Sequence, residues 1–332
     1  VCDSRTLTLS RLVRGTLVVV MRHDLSEPVN PVTYSSFEYD RVVAGWLGVY
    51  EFDVVHMRHL GWHSLSLPRL ARESGAGVVM SLHDFHVVCP SIKLLDETGT
   101  YCGGKCTSTE GDCPVELWPQ NVMPRLKNGW VHHWRKRYAA ALSFCDAFIT
   151  TSPNARDTIL RNVPELPEER FHVIPHGRDF ATFVAPSSRA TSTARRVRLL
   201  VPGNISRAKG SDIILALLDR DKDERLEFHV LGSSNFGAQH PRLILHGPYH
   251  RGDFAAHVER IAPDVGAVFS IWDETWCHTL TELWSIGLPA MVFDFPTIGG
   301  RVRESGAGWV YDHRNIDSLY ASIVSDGFNN QE

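Results

Sequence analysis

Residues 265–293 read VGAVFSIWDETWCHTLTELWSIGLPAMVF and contain one complete strand–helix–strand unit. The apolar run at 265–270 is typical of a fully buried strand, and the spacing of apolar residues at 279–286 predicts a helix. A second short apolar run, at 290–293, predicts another buried strand. Strands that are buried on both faces and joined through a helix are parallel, because a tight turn cannot join parallel strands. This stretch therefore predicts an α/β fold.

The same alternation extends through most of the chain. Short β-branched runs predict further strands at residues 17–20, 52–57, 77–82, 147–151, 171–175, 197–202, 226–231 and 242–245. Helical spacing predicts further helices at residues 67–73, 130–143, 154–162, 212–218, 254–261, 301–305 and 316–324. The stretch 181–196 lacks periodicity and is rich in Ser, Thr, Ala and Arg, which favours a linker. We therefore predict two Rossmann-like domains, 1–180 and 197–332, whose parallel sheets face each other across a cleft.

Length and composition are those of an ordinary globular protein with two hydrophobic cores. The 332 residues are 43% hydrophobic and 22% charged, and the formal net charge is −4. This charge gives no indication of nucleic-acid binding. No apolar run approaches the roughly 18 residues that a membrane-spanning helix needs. Seven cysteines, an odd number, in a chain of this length favour a reducing compartment, so the sequence predicts a cytoplasmic protein.

The residues between the first strand and the helix of the opening stretch carry the candidate chemistry. Backbone N–H groups from Cys277 to Leu280 start the helix, where they lack intrahelical partners and can bind a phosphate or diphosphate. Glu282 lies about one turn into the helix, within reach of a sugar or ribose diol, and Glu274 lies in the preceding loop. The alternative is that both glutamates only decorate a helix N-terminus, where acidic residues are favoured.

Four motifs, in the right order, resemble those of the retaining family 4 glycosyltransferases with the GT-B fold. They are HDFHVVCP at 83–90, VIPHGRD at 173–179, GNISRAKG at 203–210, and Glu274-x7-Glu282 followed by LWSIGLP at 283–289. In that family the first motif follows a strand of the N-terminal domain, the second joins the two domains, and the third is a basic loop that opens the C-terminal domain. The resemblance covers the chain from about residue 53 to about residue 311.

The resemblance implies that the donor substrate is a nucleotide-diphosphate sugar. Lys209 would bind its diphosphate, and Gly203, where the same loop starts, is also a predicted donor-binding residue. The family usually has an arginine directly after the glycine, where this chain has Asn204, and Arg207 is the predicted substitute. The family also implies that no metal or other cofactor is required.

Two glutamates and a histidine are the other principal residues that the resemblance assigns. Glu282 would hold the ribose hydroxyls, and Glu274 would contact the hydroxyls of the transferred sugar. His83 would contact the donor sugar near the reacting carbon, and His83 and Glu274 are the two predicted catalytic residues. The remaining residues predicted to cradle phosphate and sugar are Thr275, Trp276, Cys277, His278 and Thr279; of these, Cys277 stands where the family commonly has glycine. His86 and His176 are expected to be structural.

The implied reaction transfers a sugar with retention of configuration to a glycan or a lipid-linked acceptor. The alternatives are a non-catalytic nucleotide- or glycan-binding module of a larger assembly, and a nucleotide-sugar epimerase with the same fold. Nothing before Leu17 resembles the first strand and glycine-rich loop of the family's N-terminal domain. We therefore expect a module or fragment of a larger polysaccharide or O-antigen-type glycosyltransferase, in the cytoplasm and at the inner face of the membrane.

Four cysteines lie close together in the first half of the sequence: Cys89, Cys102, Cys106 and Cys113. They could bind a structural zinc ion, but zinc sites usually contain closely paired ligands and this spacing is irregular. Free or partly oxidised thiols are therefore the favoured interpretation.

A basic and aromatic stretch at 125–138 precedes the second predicted domain. It contains Trp130, Trp134, Arg135, Lys136 and Arg137. These residue types are suited to peripheral contact with an anionic membrane or a lipid-linked acceptor. An amphipathic surface helix beside the cleft is the favoured alternative.

Overall fold

The computed structural model describes residues 5–106, 113–115, 117–119, 122, 127–178 and 196–325. The chain divides into two units. The first comprises Val1–Thr98 and Cys102–Pro175, and the second comprises Gly99–Tyr101 and His176–Glu332. The predicted linker at 181–196 lies outside the described residues except for Arg196, so its bounds stay a prediction.

The first unit contains a four-stranded parallel sheet and a separate two-stranded hairpin. The sheet order is β3-β4-β5-β6, and β1 pairs with β2 antiparallel. The strands are β1 Thr6–Val13, β2 Thr16–Asp24, β3 Val54–Met57, β4 Gly77–Leu82, β5 Ala147–Thr150 and β6 Phe171–Val173. The helices are α1 Phe37–Tyr50, α2 Leu67–Glu73, α3 Lys127–Leu142 and α4 Pro153–Asn162.

Strand β4 lies inside the parallel sheet, between β3 and β5. Its side chains Val78, Met80 and Leu82 are buried, as expected for a strand in the interior of a covered sheet. Trp134 of α3 is also fully buried. Because β4 ends at Leu82, His83 lies at the carboxyl end of the sheet.

The second unit contains a six-stranded parallel sheet, and helices connect most of its successive strands. Its strands are β7 Val197–Pro202, β8 Leu226–Leu231, β9 Leu243–Leu245, β10 Val265–Val268, β11 Ala290–Phe293 and β12 Gly308–Tyr311. Its helices are α5 Ser211–Arg220, α6 Phe254–Ile261, α7 His278–Ser285, α8 Pro296–Ser305 and α9 Ile316–Val324. The sheet order is β12-β11-β10-β7-β8-β9. Leu199, Phe228, Val265 and Met291 from four of these strands are fully buried in its core.

The strand order of the second unit reverses between β7 and β10. The chain runs outward from β7 through β8 to β9, then returns to β10 on the other side of β7 and runs outward again. In open parallel sheets, ligands bind beyond the carboxyl ends of the strands at such a point. The two loops that leave β7 and β10 therefore lie where a ligand is expected.

The predicted α/β class is confirmed. Four strands (77–82, 197–202, 226–231 and 290–293) and three helices (67–73, 254–261 and 316–324) have the predicted bounds. The structure adds β1, α1 and β12, which are not predicted. The strand predicted at 17–20 lies in the antiparallel hairpin rather than in the parallel sheet. Within the described part of the chain, none of the helices combines the length and the apolar character needed to cross a membrane.

Candidate functional site

Two loops of the second unit meet at the carboxyl end of its sheet, one after β7 and one between β10 and α7. Gly210 ends the first loop with φ 87°, and a Cβ on it would lie 2.4 Å from the carbonyl oxygen of Phe269 in the second. Gly203 has φ 109°, and a Cβ there would lie 3.0 Å from Cγ2 of Thr279. Only glycine at position 210 lets the two loop backbones approach this closely without a shift. The basic loop and the β10–α7 loop are thus brought together.

An ion pair between half-buried Lys209 and buried Glu274 joins the two loops. Nζ of Lys209 donates to Oε1 of Glu274 at 2.6 Å, and the hydroxyl of Ser270 donates to the same oxygen. The Glu274 side chain is 7% exposed and that of Lys209 is 27% exposed. The ammonium also lies 5.6 Å from the ring centroid of the buried Trp272, a favourable cation–π distance. Two residues assigned to different motifs are therefore direct partners.

Each member of this pair keeps the other charged. Burial by itself would raise the pKa of Glu274, but the Lys209 ammonium and the hydrogen bonds from Lys209 and Ser270 hold that pKa below its usual value. Burial would likewise lower the pKa of Lys209, but the Glu274 carboxylate raises it above the usual value. At neutral pH the site therefore holds an ammonium and a carboxylate, which can bind a phosphate and a hydroxyl.

Cys277 occupies the N-cap of α7 in a conformation that favours glycine. Its φ is 71° and its ψ 87°, in the left-handed region. A side chain at positive φ crowds the following carbonyl and costs about 1–2 kcal/mol. This conformation gives a physical reason for the glycine that the family commonly has here. Burial, followed by the nearby Glu274 carboxylate, raises the pKa of the Cys277 thiol to about 12.

Arg301 of α8 holds the β10–α7 loop from the side. Its guanidinium donates to the carbonyl oxygens of Trp276 and Cys277 and, at 2.9 Å, to the hydroxyl of Thr281. It also lies 3.9 Å from the ring centroid of Trp276. Arg301 is not predictable from the sequence, since no motif or spacing connects α8 with this loop.

The rest of the β10–α7 loop is packed rather than open to solvent. Thr275 is buried, and Trp276 is half-buried beneath Arg301. The carboxylate of buried Asp273 accepts the N–H of Thr297 at 3.0 Å, which fixes the loop to the start of α8. The loop is therefore held in position by α8 before any ligand binds.

Glu282 is buried one turn into α7 with two partners that sequence reasoning missed. The hydroxyl of Tyr249 donates to Oε2 at 2.8 Å, and the guanidinium of Arg178 lies 3.5 Å from Oε1. Burial and the adjacent Glu282 carboxylate raise the pKa of Tyr249, so the phenol stays protonated as a donor. Arg178 lies within the quoted VIPHGRD motif, but the motif carries no signal that pairs it with Glu282.

His278 is the first residue of α7 and is surrounded by cationic groups. Nε of Arg178 donates to its Nδ1 at 2.9 Å, and the His176 ring lies 4.8 Å from its ring. Burial, followed by the charge of Arg178, lowers the pKa of His278 to about 4. His278 is thus neutral at pH 7, and the positive charge at the start of α7 comes from Arg178.

Arg207 lies on the surface of the basic loop. Its guanidinium forms an ion pair with Asp212 at 3.2 Å, with both side chains largely exposed, and it packs against Gly99. At the position of the family arginine, Asn204 accepts a hydrogen bond from the hydroxyl of Ser233 at 2.6 Å. The substitution of Arg207 for that arginine stays a prediction.

In the first unit, His83 follows β4 and is partly exposed, with Nε2 3.9 Å from the Asp84 carboxylate. Burial lowers the pKa of His83 although Asp84 opposes it. Asp84 also pairs with Nε2 of His59 at 3.3 Å, and Nδ1 of His59 accepts the N–H of Gly61 at 2.8 Å. His59 therefore carries its proton on Nε2 and donates to Asp84, a partnership that sequence reasoning missed.

His86 is buried and bonded to the hydroxyl of Tyr138, as expected of a structural residue.

The cysteine cluster forms no metal site within the described residues. No group of three or more His, Cys, Asp or Glu side chains in the described part of the chain is placed to hold a metal ion. Cys89 is buried, and burial raises the pKa of its thiol to about 11. Cys113 lies 3.7 Å from a carboxylate oxygen of Glu97. The structure thus gives no support to the zinc alternative at Cys89, Cys102, Cys106 and Cys113.

Helix α3 contains most of the basic and aromatic stretch predicted at 125–138; residues 125 and 126 lie outside the described residues. Trp134 is fully buried and donates to the carbonyl oxygen of His86 at 2.8 Å. Arg135 donates to the carbonyl oxygens of Val88 and Gly104. Trp134 and Arg135 therefore stabilise the interior of the first unit, whereas the remaining residues, Trp130, Lys136 and Arg137, are half-buried or exposed.

The sequence matches a model of a known protein family. The family model described as Glycosyltransferase Family 4 matches residues 10–182. No curated protein sequence is a significant match.

Several solved structures are similar to this chain. HepE from Anabaena, solved with UDP and glucose, aligns with a TM-score of 0.56 at 12% identity over 87% of this chain and 72% of that chain. The pneumococcal O-GlcNAc transferase GtfA, solved with UDP and GlcNAc, aligns with a TM-score of 0.58 at 15% identity over 98% and 63%. Sucrose-phosphate synthase from Thermosynechococcus elongatus aligns with a TM-score of 0.59 at 14% identity over 91% and 73%. At these identities the likeness shows the fold, which is GT-B.

Proposed function

The chain belongs to glycosyltransferase family 4, and from that premise we propose that it transfers a sugar from a nucleotide-diphosphate sugar to a glycan or lipid-linked acceptor, with retention of configuration. The observation that carries the proposal is the Lys209–Glu274 ion pair beside the start of α7. Its members lie 65 positions apart and are joined at the strand-order reversal, where parallel sheets bind ligands.

The diphosphate is proposed to bind between Lys209 and the first turn of α7. An eight-residue helix presents unpaired N–H groups and a partial positive charge at this end. Arg178 adds a full charge at the first residue, His278. These groups stabilise the negative charge that develops on the departing diphosphate, so transfer in this proposal needs no metal.

The two glutamates are proposed to hold the two ends of the donor. Oε1 of Glu274 already accepts from Lys209 and Ser270, so Oε2 is the oxygen proposed for a hydroxyl of the transferred sugar. Glu282, oriented by Tyr249 and Arg178, is proposed to accept the ribose hydroxyls. His83 is proposed, from the family resemblance alone, to contact the sugar near the reacting carbon.

Ligand binding to the full chain tests the donor site. UDP is the first nucleotide to try, because it is the one bound in the HepE and GtfA structures; GDP and ADP complete the panel. A nucleotide at about 100 times its Kd adds about 2.7 kcal/mol of apparent stability, which a thermal-shift assay detects readily. No shift with any nucleotide or nucleotide sugar would overturn the proposal.

Two substitutions separate the proposed roles within the donor. Lys209→Met removes the phosphate contact and should weaken UDP as well as the UDP-sugar. Glu274→Gln removes a sugar contact and should weaken the UDP-sugar more than UDP. Glu259→Gln, on the exposed face of α6, is the control and should change neither affinity.

Product analysis separates transfer from the two competing functions. Transfer to an added glycan or lipid-linked acceptor, with the anomeric configuration of the donor preserved by NMR, supports a retaining glycosyltransferase. A new nucleotide sugar formed without acceptor indicates an epimerase. Nucleotide binding without either product indicates a binding module. Asn204 favours this module as the second candidate, because its side chain is neutral where the family has an arginine.

A cytoplasmic location at the inner face of the membrane stays a prediction from the sequence.

A further inference from the structure

The turn at Cys277 is held in a conformation that its own side chain opposes. Its φ of 71° lies in the left-handed region, which a cysteine adopts only when its surroundings enforce it. The thiol is a weak hydrogen-bonding group, so its contacts with the Thr279 hydroxyl, 3.3 Å from Sγ, with the Leu280 N–H and with the Glu274 carboxylate restrain the turn only weakly. A stronger donor is therefore expected to stabilise this turn as well.

The carbonyl groups on both sides of this turn are bound by one side chain. Arg301 donates from the same terminal nitrogen to the carbonyl oxygens of Trp276 and Cys277, and its other terminal nitrogen donates to Thr281. The guanidinium carbon also lies close to two indole rings, 3.9 Å from the centroid of Trp276 and 5.2 Å from that of Trp284. These contacts fix the guanidinium as well as the backbone.

We propose that Arg301 is a positioning residue, which takes over the role that glycine has at this turn and holds the β10–α7 loop in its binding conformation. The planar fork of arginine reaches two carbonyls and a hydroxyl at once, which a lysine ammonium cannot do with the same geometry. The hydrogen bonds of Arg301 go to protein atoms, so Arg301 affects ligand binding through the position of the β10–α7 loop.

The orientation of the backbone connects this role to binding. The C=O and N–H of a trans peptide point in opposite directions. Holding the carbonyls of Trp276 and Cys277 against Arg301 therefore turns the N–H groups of Cys277 and His278 away from α8. Those N–H groups are the ones proposed to meet the donor diphosphate, so this part of the inference rests on the proposed function.

The thiol of Cys277 reports on the loop without any ligand. It is 4% exposed, so a labelling reagent reaches it only when the loop opens. In the full chain, Arg301→Met should raise the rate of Cys277 labelling by iodoacetamide by about tenfold or more, measured by peptide mass spectrometry. Arg301→Lys, which keeps the charge, should give an intermediate rate and serves if the methionine variant folds poorly.

Two controls accompany the labelling experiment. Arg303→Met, two residues further along α8, removes only an exposed ion pair with Asp294 and should leave the Cys277 rate unchanged. Cys145, fully buried in the first unit, should be labelled at the same rate in every variant. An unchanged Cys277 rate in both Arg301 variants would overturn the proposal, and so would an equal rise at Cys145, which signals general unfolding.

Glycine at position 277 should make Arg301 less important. Glycine adopts the left-handed turn without strain, so Arg301→Met should weaken UDP binding about tenfold in the native background but less than about threefold in a Cys277→Gly background. Equal losses in both backgrounds would contradict the positioning role. If the native chain binds no nucleotide while the labelling result holds, the proposed function fails and the structural role of Arg301 stands. If nucleotide binds but the labelling rate of Cys277 is unchanged in the Arg301 variants, the role of Arg301 fails and the proposed function stands.

Discussion

Nε of Arg178 donates a hydrogen bond to Nδ1 of His278 at 2.9 Å. His278 begins α7, and the same guanidinium lies 3.5 Å from the carboxylate of Glu282 in the next turn. Arg178 thus connects the first residue of the helix to the carboxylate proposed to hold the ribose. Because Nδ1 accepts this bond, the neutral imidazole carries its proton on Nε2.

Substitution of Arg178 should weaken donor binding by disordering Glu282. A lysine keeps the charge but cannot bond His278 and face Glu282 in one planar fork, so Arg178→Lys should weaken UDP binding by roughly tenfold. Arg178→Met should weaken it further, because buried Glu282 then loses the Arg178 charge and keeps the Tyr249 hydroxyl as a donor. Isothermal titration calorimetry measures both. Arg220→Met, at the end of α5, removes an exposed ion pair with Asp317 of α9 and is the matched control; an equal effect there would argue against a local role.

The Lys209–Glu274 pair predicts a strong non-additive effect on stability. Lys209→Met leaves a buried carboxylate without its counter-charge and should lower the free energy of unfolding by about 3–5 kcal/mol. Adding Glu274→Gln removes that charge, so the double variant should be more stable than Lys209→Met alone. Urea denaturation of Lys209→Met, Glu274→Gln and the double variant measures the coupling. Lys222→Met, at an exposed position, should change stability by less than about 0.5 kcal/mol.

Sequence patterns identify best the strands that are continuously apolar and the helices whose apolar residues recur at regular helical spacing. Strand β10 and helix α6 are examples, since every residue of β10 is buried and α6 buries Phe254, Val258 and Ile261 at helical spacing. Helix α1 escapes detection although Tyr39, Val43 and Leu47 form a similar stripe. Its Gly45 and Gly48 and several β-branched residues have poor helix propensity, and tertiary packing overrides that preference.

In the site, residues that lie within sequence motifs can be identified from the sequence, whereas their partners on other elements cannot. Lys209 and Glu274 belong to motifs, so the sequence identifies both before their contact is known. Arg178, Tyr249 and Arg301 belong to no recognised functional position, and their partners lie on other elements. Such contacts depend on how helices and loops pack around the sheet, which a single sequence does not encode in any short pattern.

Gly210 should tolerate no side chain. Alanine there would place Cβ 2.4 Å from the Phe269 carbonyl oxygen at a φ of 87°, so the two site loops would have to separate. We expect Gly210→Ala to destabilise the protein by about 1–3 kcal/mol and to weaken nucleotide binding. Gly252→Ala is the control, because a Cβ at that position meets nothing within 4 Å. Thermal denaturation and nucleotide titration of both variants would show whether the effect is specific; equal behaviour would contradict the close contact between the loops.

Stability should fall on mild acidification, in part because of His86. Burial, followed by the nearby His59, lowers the pKa of His86 to about 3, while an unfolded histidine titrates near 6.5. Below pH 6.5 the unfolded chain therefore takes up a proton that folded His86 does not, and the free energy of unfolding falls as pH decreases toward 3. One such group contributes up to about 1.4 kcal/mol for each pH unit across that window.

A non-titrating side chain at position 86 should reduce this slope. His86→Gln can keep a hydrogen bond to the Tyr138 hydroxyl but cannot take up the proton, so its stability should depend less steeply on pH between 6.5 and 4. His172→Gln, at an exposed position of β6, is the matched control and should retain the native slope. Urea unfolding at pH 7.5, 6 and 5 measures all three proteins. Parallel slopes for the native chain and His86→Gln would show that folded His86 takes up its proton as readily as the unfolded chain does. Asp84, whose pKa is lowered to about 2 against its burial by the hydrogen bond and charge of His59, loses its own contribution only below about pH 4 and so does not confuse the comparison.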